Sequence, residues 1–130
     1  MKIIQPPNWP RPKGYSNGVV ARGQMVFVSG MIGWDEHGKL VSNDFAAQAR
    51  QALQNVVAVL KEANAAPEHI VRMNWYVADK DEYLAAQKQL GRIYREIIGA
   101  HYPAMTAVQV AGLVEEGARV EIEVTAVIPD

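Results

Sequence analysis

Two glutamates near the end of the chain, Glu121 and Glu123, lie two positions apart in the alternating run Val120-Glu121-Ile122-Glu123-Val124-Thr125. On a strand this spacing sends both carboxylates to one face, where they can orient water, form ion pairs or stand in solvent. Ser29-Gly30 closes an earlier apolar run. Glycine there lets backbone amide and carbonyl groups face a small ligand, although a plain strand exit has the same pattern. Tyr15 offers a phenol on an aromatic wall, or an anchor for the first strand. Trp34 is a candidate lid over a cleft, against the simpler reading of a packed loop tryptophan. His37, His69 and His101 are too dispersed for a metal-binding helix. The chain has no cysteine, which excludes disulfides, thiolate metal sites and a thiol nucleophile. Glycine-rich phosphate loops, nucleophile elbows and zinc patterns are also missing, so no cofactor or metal is expected.

The elements that must position these groups follow from periodicity. Four prolines between Pro6 and Gly14 predict an extended lead-in, with Trp9 pinning it to the body. Gly18–Ala21 and Met25–Ser29, separated by Arg22-Gly23-Gln24, predict a β-hairpin. From Ser42 to Ala63 the period becomes helical, with Phe45, Ala49, Ala52, Leu53, Val56, Val57 and Leu60 on one stripe and Ser42 as N-cap. Ile70–Val77 alternates. A second helix runs from Asp79, in a capping box with Glu82, to Gly99. Thr106–Val110 and Arg119–Val127 are the last strands, with Gln109, Arg72, Asn74 and Tyr76 sharing the polar side of Glu121 and Glu123. The expected order is β-β-α-β-α-β-β in one α+β domain spanning residues 1–130, with two helices covering one sheet face.

Length and composition agree. A chain of 130 residues, 49% hydrophobic and 21% charged, has the makings of one core. The net charge of -1 argues against nucleic acid or anionic membrane as a partner held by bulk electrostatics. The first residues lack the apolar core of a signal peptide and no run approaches a membrane span, so a cytoplasmic location is expected.

Gly14-Tyr15-Ser16-Asn17-Gly18, Val26-Phe27-Val28-Ser29-Gly30-Met31-Ile32, Tyr102-Pro103-Ala104 and Val120-Glu121-Ile122-Glu123 resemble, in order and spacing, the signature blocks of the reactive-intermediate deaminase (Rid, also called YjgF) family. The resemblance implies a chorismate-mutase-like fold and a homotrimer, its sheets packed around a barrel with ligand clefts between subunits. It also implies hydrolysis of imines and enamines to ketones and ammonia, without metal or cofactor. On that footing Glu121 positions the attacking water, and Tyr15 and Met105 line the substrate cleft, with Ser29, Gly30 and Trp34 as the further candidates for its lining. One position departs from the family pattern. The family deaminases carry an arginine after Pro-Ala, where its planar fork holds the substrate carboxylate, and here Met105 stands in its place. A thioether suits an apolar or aromatic group. Arg22, Arg72 and Arg119 are candidates to supply the missing charge. The resemblance therefore implies a deaminase acting on something other than 2-aminoacrylate, such as the 2-aminomuconate of aromatic catabolism. A non-catalytic metabolite-binding trimer is the alternative, and an endoribonuclease or translation inhibitor the weaker one.

Overall fold

Helix α1 (Phe45–Glu62) sets the geometry of the chain. The computed structural model, which describes residues 1–130, starts this helix at Asp44. The Asp44 carboxylate accepts the Ala47 amide at 2.9 Å, a cap worth about 1 kcal/mol. Ser42, expected as the cap, instead accepts the Asp44 amide one turn earlier. Phe45, Ala49, Ala52, Leu53, Val56 and Leu60 are buried at three- and four-residue steps. Alanine at positions 46, 49 and 52 lets the helix lie close on the sheet, while each buried leucine or valine contributes about 1.5–3 kcal/mol.

The sheet beneath has four strands in the order β3 (Gln24–Met31), β6 (Val120–Ile128), β4 (Ile70–Val77) and β5 (Ala104–Gln109). β6 runs antiparallel to both neighbours, whereas β4 and β5 are parallel. A parallel pair needs a crossover, and α2 (Lys80–Ala85) with α3 (Gln87–Ile97) provides it. Val28, Met73, Trp75, Val120, Ile122 and Val124 form the face under the helices. Glu121, Glu123 and Thr125, with Tyr76, Asn74 and Phe27 as their cross-strand neighbours, form the other. β3 and β5 are the edges, with β5 bridged only at Ala104, by Ser16.

Several expectations change. β2 (Gly18–Val20) pairs with β1 (Lys2–Ile4), a strand not anticipated, and forms no hairpin with β3. Trp9 is 57% exposed and pins nothing. The second helix breaks at Ala86, and its Leu84 faces solvent. Asp79 caps the Asp81 amide, but Glu82 pairs with Arg119 at 2.8 Å and completes no capping box. A register shift between Ile70 and Arg72 makes Ile70 the buried residue at the start of β4. Gln109 lies opposite Val77 on the helix side, where its amide oxygen accepts the Lys80 amide and caps α2. Propensity could not show the β1–β2 pairing, the Glu82–Arg119 pair or the Gln109 cap, because each is decided by a partner distant in sequence.

Gln48 is a polar member of the α1 stripe and is fully buried. Its amide nitrogen donates to the carbonyls of Ser42 at 2.8 Å and Gly117 at 3.0 Å, and its oxygen accepts the Arg119 amide at 2.7 Å. The clamp ties the start of α1 to the entry of β6. Gly33 lies so close that a Cβ would sit 2.6 Å from the Gln48 Cα. Replacing Gln48 by leucine keeps the bulk and strands three backbone groups, each costing about 1–3 kcal/mol when left unpaired. Gln48→Leu should therefore lose at least about 2 kcal/mol in urea unfolding. Gly33→Ala should lose about 1–3 kcal/mol by overpacking. Wild-type stability in Gln48→Leu would show that the clamp contributes nothing.

Candidate functional site

The β3–β6 edge brings Ser29, Gly30 and Glu121 together. β3 is irregular between Val28 and Met31, which places Ser29-Gly30 in a bulge where the strand can re-aim its groups. The Glu121 carboxylate lies directly over Gly30: a Cβ there would be 2.1 Å from its Oε2. Any side chain at this position would push the carboxylate aside. Glu121 is half-buried and makes neither a hydrogen bond nor an ion pair within the chain, unlike its neighbour two positions on.

Glu123 is a structural hub. Its Oε1 accepts Asn74 Nδ2 at 3.0 Å and the Tyr76 hydroxyl at 2.5 Å, joining β6 to β4 across the open sheet face. The hydrogen bond to Glu123, then desolvation and the charges of Glu123 and Glu121, hold the Tyr76 hydroxyl above the ordinary phenol range. Ser29 shares a depression of about 360 Å³ with Asn74 and Glu123.

A larger cleft of about 720 Å³ opens on the helix side, between α3 and the start of β5. Trp75, Tyr83, Leu90, Tyr94, Tyr102 and Met105 line it. Trp75 meets Tyr83 edge-on at 5.9 Å, and Tyr94 stacks on Tyr102 at 5.5 Å. Tyr94 donates to the His101 carbonyl at 2.5 Å, and His101 Nε2 lies 2.7 Å from the Ile70 carbonyl, so the turn before β5 is tied to the start of β4. Burial, and after it the neighbouring Tyr102, push the Tyr94 hydroxyl well above the ordinary phenol range. Ser16 pairs with Ala104, its amide donating to the Pro103 carbonyl at 3.0 Å and its hydroxyl to the Tyr102 carbonyl at 2.5 Å. This strap places Tyr15, 42% exposed, beside the residues leading into Met105.

The site residues expected from sequence thus fall into two groups and an outlier. Ser29, Gly30 and Glu121 cluster at one edge of the sheet, and Tyr15 and Met105 at the other. Met105 pairs with Met73 and lies on the helix side, whereas Glu121 pairs with Tyr76 and lies on the opposite side. Their strands are two spacings apart, about 10 Å. One small ligand cannot touch both within a single chain. Trp34 joins neither group. It bridges to Leu40, and its carbonyl accepts Asn55 Nδ2 at 2.9 Å, which makes it a loop staple on α1. Of the arginines considered for the missing charge, Arg22 pairs with Asp130, Arg119 pairs with Glu82, and Arg72 is not among the cleft residues. The cations at the cleft are Lys13, Lys88, Arg92 and Arg95. Sequence reasoning missed these, although Lys88, Arg92 and Arg95 stand at helical spacing. It also missed Tyr102 as a wall.

Comparison with known proteins agrees with this architecture. A family model described as "Endoribonuclease L-PSP" matches residues 9–128. The 2-iminobutanoate/2-iminopropanoate deaminase of Homo sapiens is 34% identical over 114 residues, covering 87% of this chain and 79% of the human protein. Among solved structures, the Rid-family protein YyfB of Yersinia pestis superposes with a TM-score of 0.83 at 30% identity, covering 98% of both chains. E. coli TdcF, solved with bound serine, gives a TM-score of 0.72 at 32% identity, covering 98% of this chain and 99% of that one. With this match over nearly its whole length and the same α+β fold, the chain belongs to the Ribonuc_L-PSP family, also known as YjgF, Rid or RutC.

Proposed function

We propose that this protein hydrolyses imines or enamines of organic acids to the ketone and ammonia, at a site completed by a second copy of the chain. The observation that carries the reading is the Glu121 carboxylate, unpaired within the chain and held over the Gly30 backbone at a free sheet edge. The relatives named as iminobutanoate/iminopropanoate deaminases give the chemistry. In the proposed reaction Glu121 accepts a hydrogen bond from water and aims its oxygen at the carbon of the protonated C=N group. The C–O bond forms as the C=N π pair moves to nitrogen. A proton from that water passes through Glu121 to the nitrogen, and the C–N bond breaks with its electron pair leaving on ammonia. The remaining hydroxyl proton passes to Glu121 and on to the departing ammonia as the O–H pair becomes the C=O. Protonated imine and water are consumed, ketone and ammonium are produced, and no electrons are gained or lost.

Two features support a shared site. The halves of the site occupy opposite free edges of a four-stranded sheet, so joining sheets edge to edge brings Glu121 of one copy toward Met105 and Tyr15 of the next. Phe27 is also 71% exposed and Met25 56% exposed on β3, more apolar surface than a solvated edge strand favours. Closing three such sheets into a barrel removes every edge, which is the assembly the family resemblance implies.

Light scattering on purified protein should give about three times the chain mass, as a closed barrel of three sheets implies. A monomer that still turns over would overturn the shared site. With imines generated in situ by an amino-acid oxidase and ammonia release as readout, Glu121→Gln should lose about 10²–10⁴-fold in kcat with unchanged unfolding. Gly30→Ala should also lower kcat, because its Cβ displaces the carboxylate while the fold survives. Full activity in Glu121→Gln would remove its role. Met105→Arg should improve turnover of small imino acids by about ten- to a hundredfold, the worth of a charge-assisted carboxylate clamp. No gain would show that another group already holds the carboxylate.

A further inference from the structure

The helix-side cleft combines three features that the hydrolysis of a small imino acid does not call for. Its walls are aromatic, its rim is cationic, and one of its helical residues is a glycine with no structural need to be one. We propose that this cleft binds an aromatic monocarboxylate, the ring held among Tyr83, Tyr94, Tyr102 and Met105 and the carboxylate by the lysines and arginines of the rim. Binding stands on the cleft alone; that the bound acid is the carbon skeleton of the substrate rests on the hydrolase reading.

Volume comes first. About 720 Å³ is within the range of sites for drug-sized ligands, and a three-carbon acid would leave most of it to water. The stacked Tyr94–Tyr102 pair and the Trp75–Tyr83 edge contact present flat and polarisable surfaces suited to another ring. Met105 adds a thioether that adapts to an aromatic edge. The Trp75 indole nitrogen is the one buried side-chain donor without a hydrogen-bond partner, on a residue that lines the cleft and is 3% exposed. Leaving such a group unpaired is destabilising, which a ligand or bound water would relieve.

Charge comes second. Lys13, Lys88, Arg92 and Arg95 border the cleft, and none forms an ion pair within the chain. The single carboxylate there, Glu96, is already paired with Arg50 at 2.7 Å. The rim is therefore complementary to an anion.

Gly91 comes third. It sits inside α3, borders the cleft, and a Cβ on it would meet nothing within 4 Å. Glycine inside an exposed helix is less stable than alanine, and no contact within the chain explains it. A ligand seated in the cleft and approaching the helix backbone would account for it.

The test uses the wild-type assembly and calorimetric titration with phenylpyruvate and, separately, pyruvate. Phenylpyruvate should bind at least tenfold more tightly than pyruvate, and its affinity should fall as salt rises. Gly91→Leu should weaken phenylpyruvate at least tenfold while melting no lower than wild type. The double variant Lys88→Gln, Arg92→Gln should weaken it and flatten the salt dependence. Equal affinity for the two acids, or no binding of either, would overturn the proposal. A Gly91→Leu protein of altered mass with unchanged affinity would overturn it too, and would make the cleft a subunit contact. The two readings separate cleanly. Phenylpyruvate binding without imine hydrolysis sinks the hydrolase alone, and hydrolysis without aromatic preference sinks this inference alone.

Discussion

Gln48 holds three backbone groups with one buried side chain, and the placement of β6 depends on it. A fully buried amide is tolerated because both its nitrogen and its oxygen are engaged, and each engaged backbone group would otherwise be stranded away from water. Two of its partners, Gly117 and Arg119, lie at the entry of β6, the strand that pairs on both sides. Fixing that entry fixes the register of Glu121 against Tyr76 and of Glu123 against Asn74. The same close approach accounts for Gly33, whose missing side chain lets the loop after β3 settle on α1. Asn55, on the same helix, holds that loop through the carbonyls of Ile32 and Trp34. A helix that looks purely apolar in its periodicity thus carries the polar contacts that hold the loops around the site.

The two glutamates of β6 show how identical side chains on one strand face acquire different work. Glu123 accepts two donors from β4 on its Oε1, so it ties β4 to β6 across the open sheet face. Glu121 meets a bulge and a glycine, has no donor of its own, and is left with lone pairs to offer. The difference lies in what the neighbouring strand supplies at each register position. A carboxylate engaged by two donors of its own sheet is committed to structure, and one that is half-buried without a donor is available to anchor water.

Much of the α+β architecture was legible from sequence because it rests on short-range physics. The period of 3.6 across Phe45–Leu60 and the period of two across Val120–Thr125 each follow from burying one side of a regular element. The family blocks were equally legible, since their order and spacing lie in the chain itself. Pairings that join distant segments were not. β1 against β2 in place of a β2–β3 hairpin, Glu82 against Arg119 and Gln109 against the Lys80 amide were all chosen by groups that no local window contains.

For the site, sequence by itself determined the residue types: a glutamate on the last strand, a serine and glycine closing β3, and a methionine after Pro103-Ala104. Tertiary structure decided their company. It placed Glu121 over Gly30 on one edge and Met105 among aromatic rings on the other, on opposite faces of the sheet. It also gathered Lys13 from the lead-in with Lys88, Arg92 and Arg95 from α3 around one cleft. The physical reason is that periodicity fixes which face of its own element a side chain occupies, while strand order and helix docking fix what lies across from it.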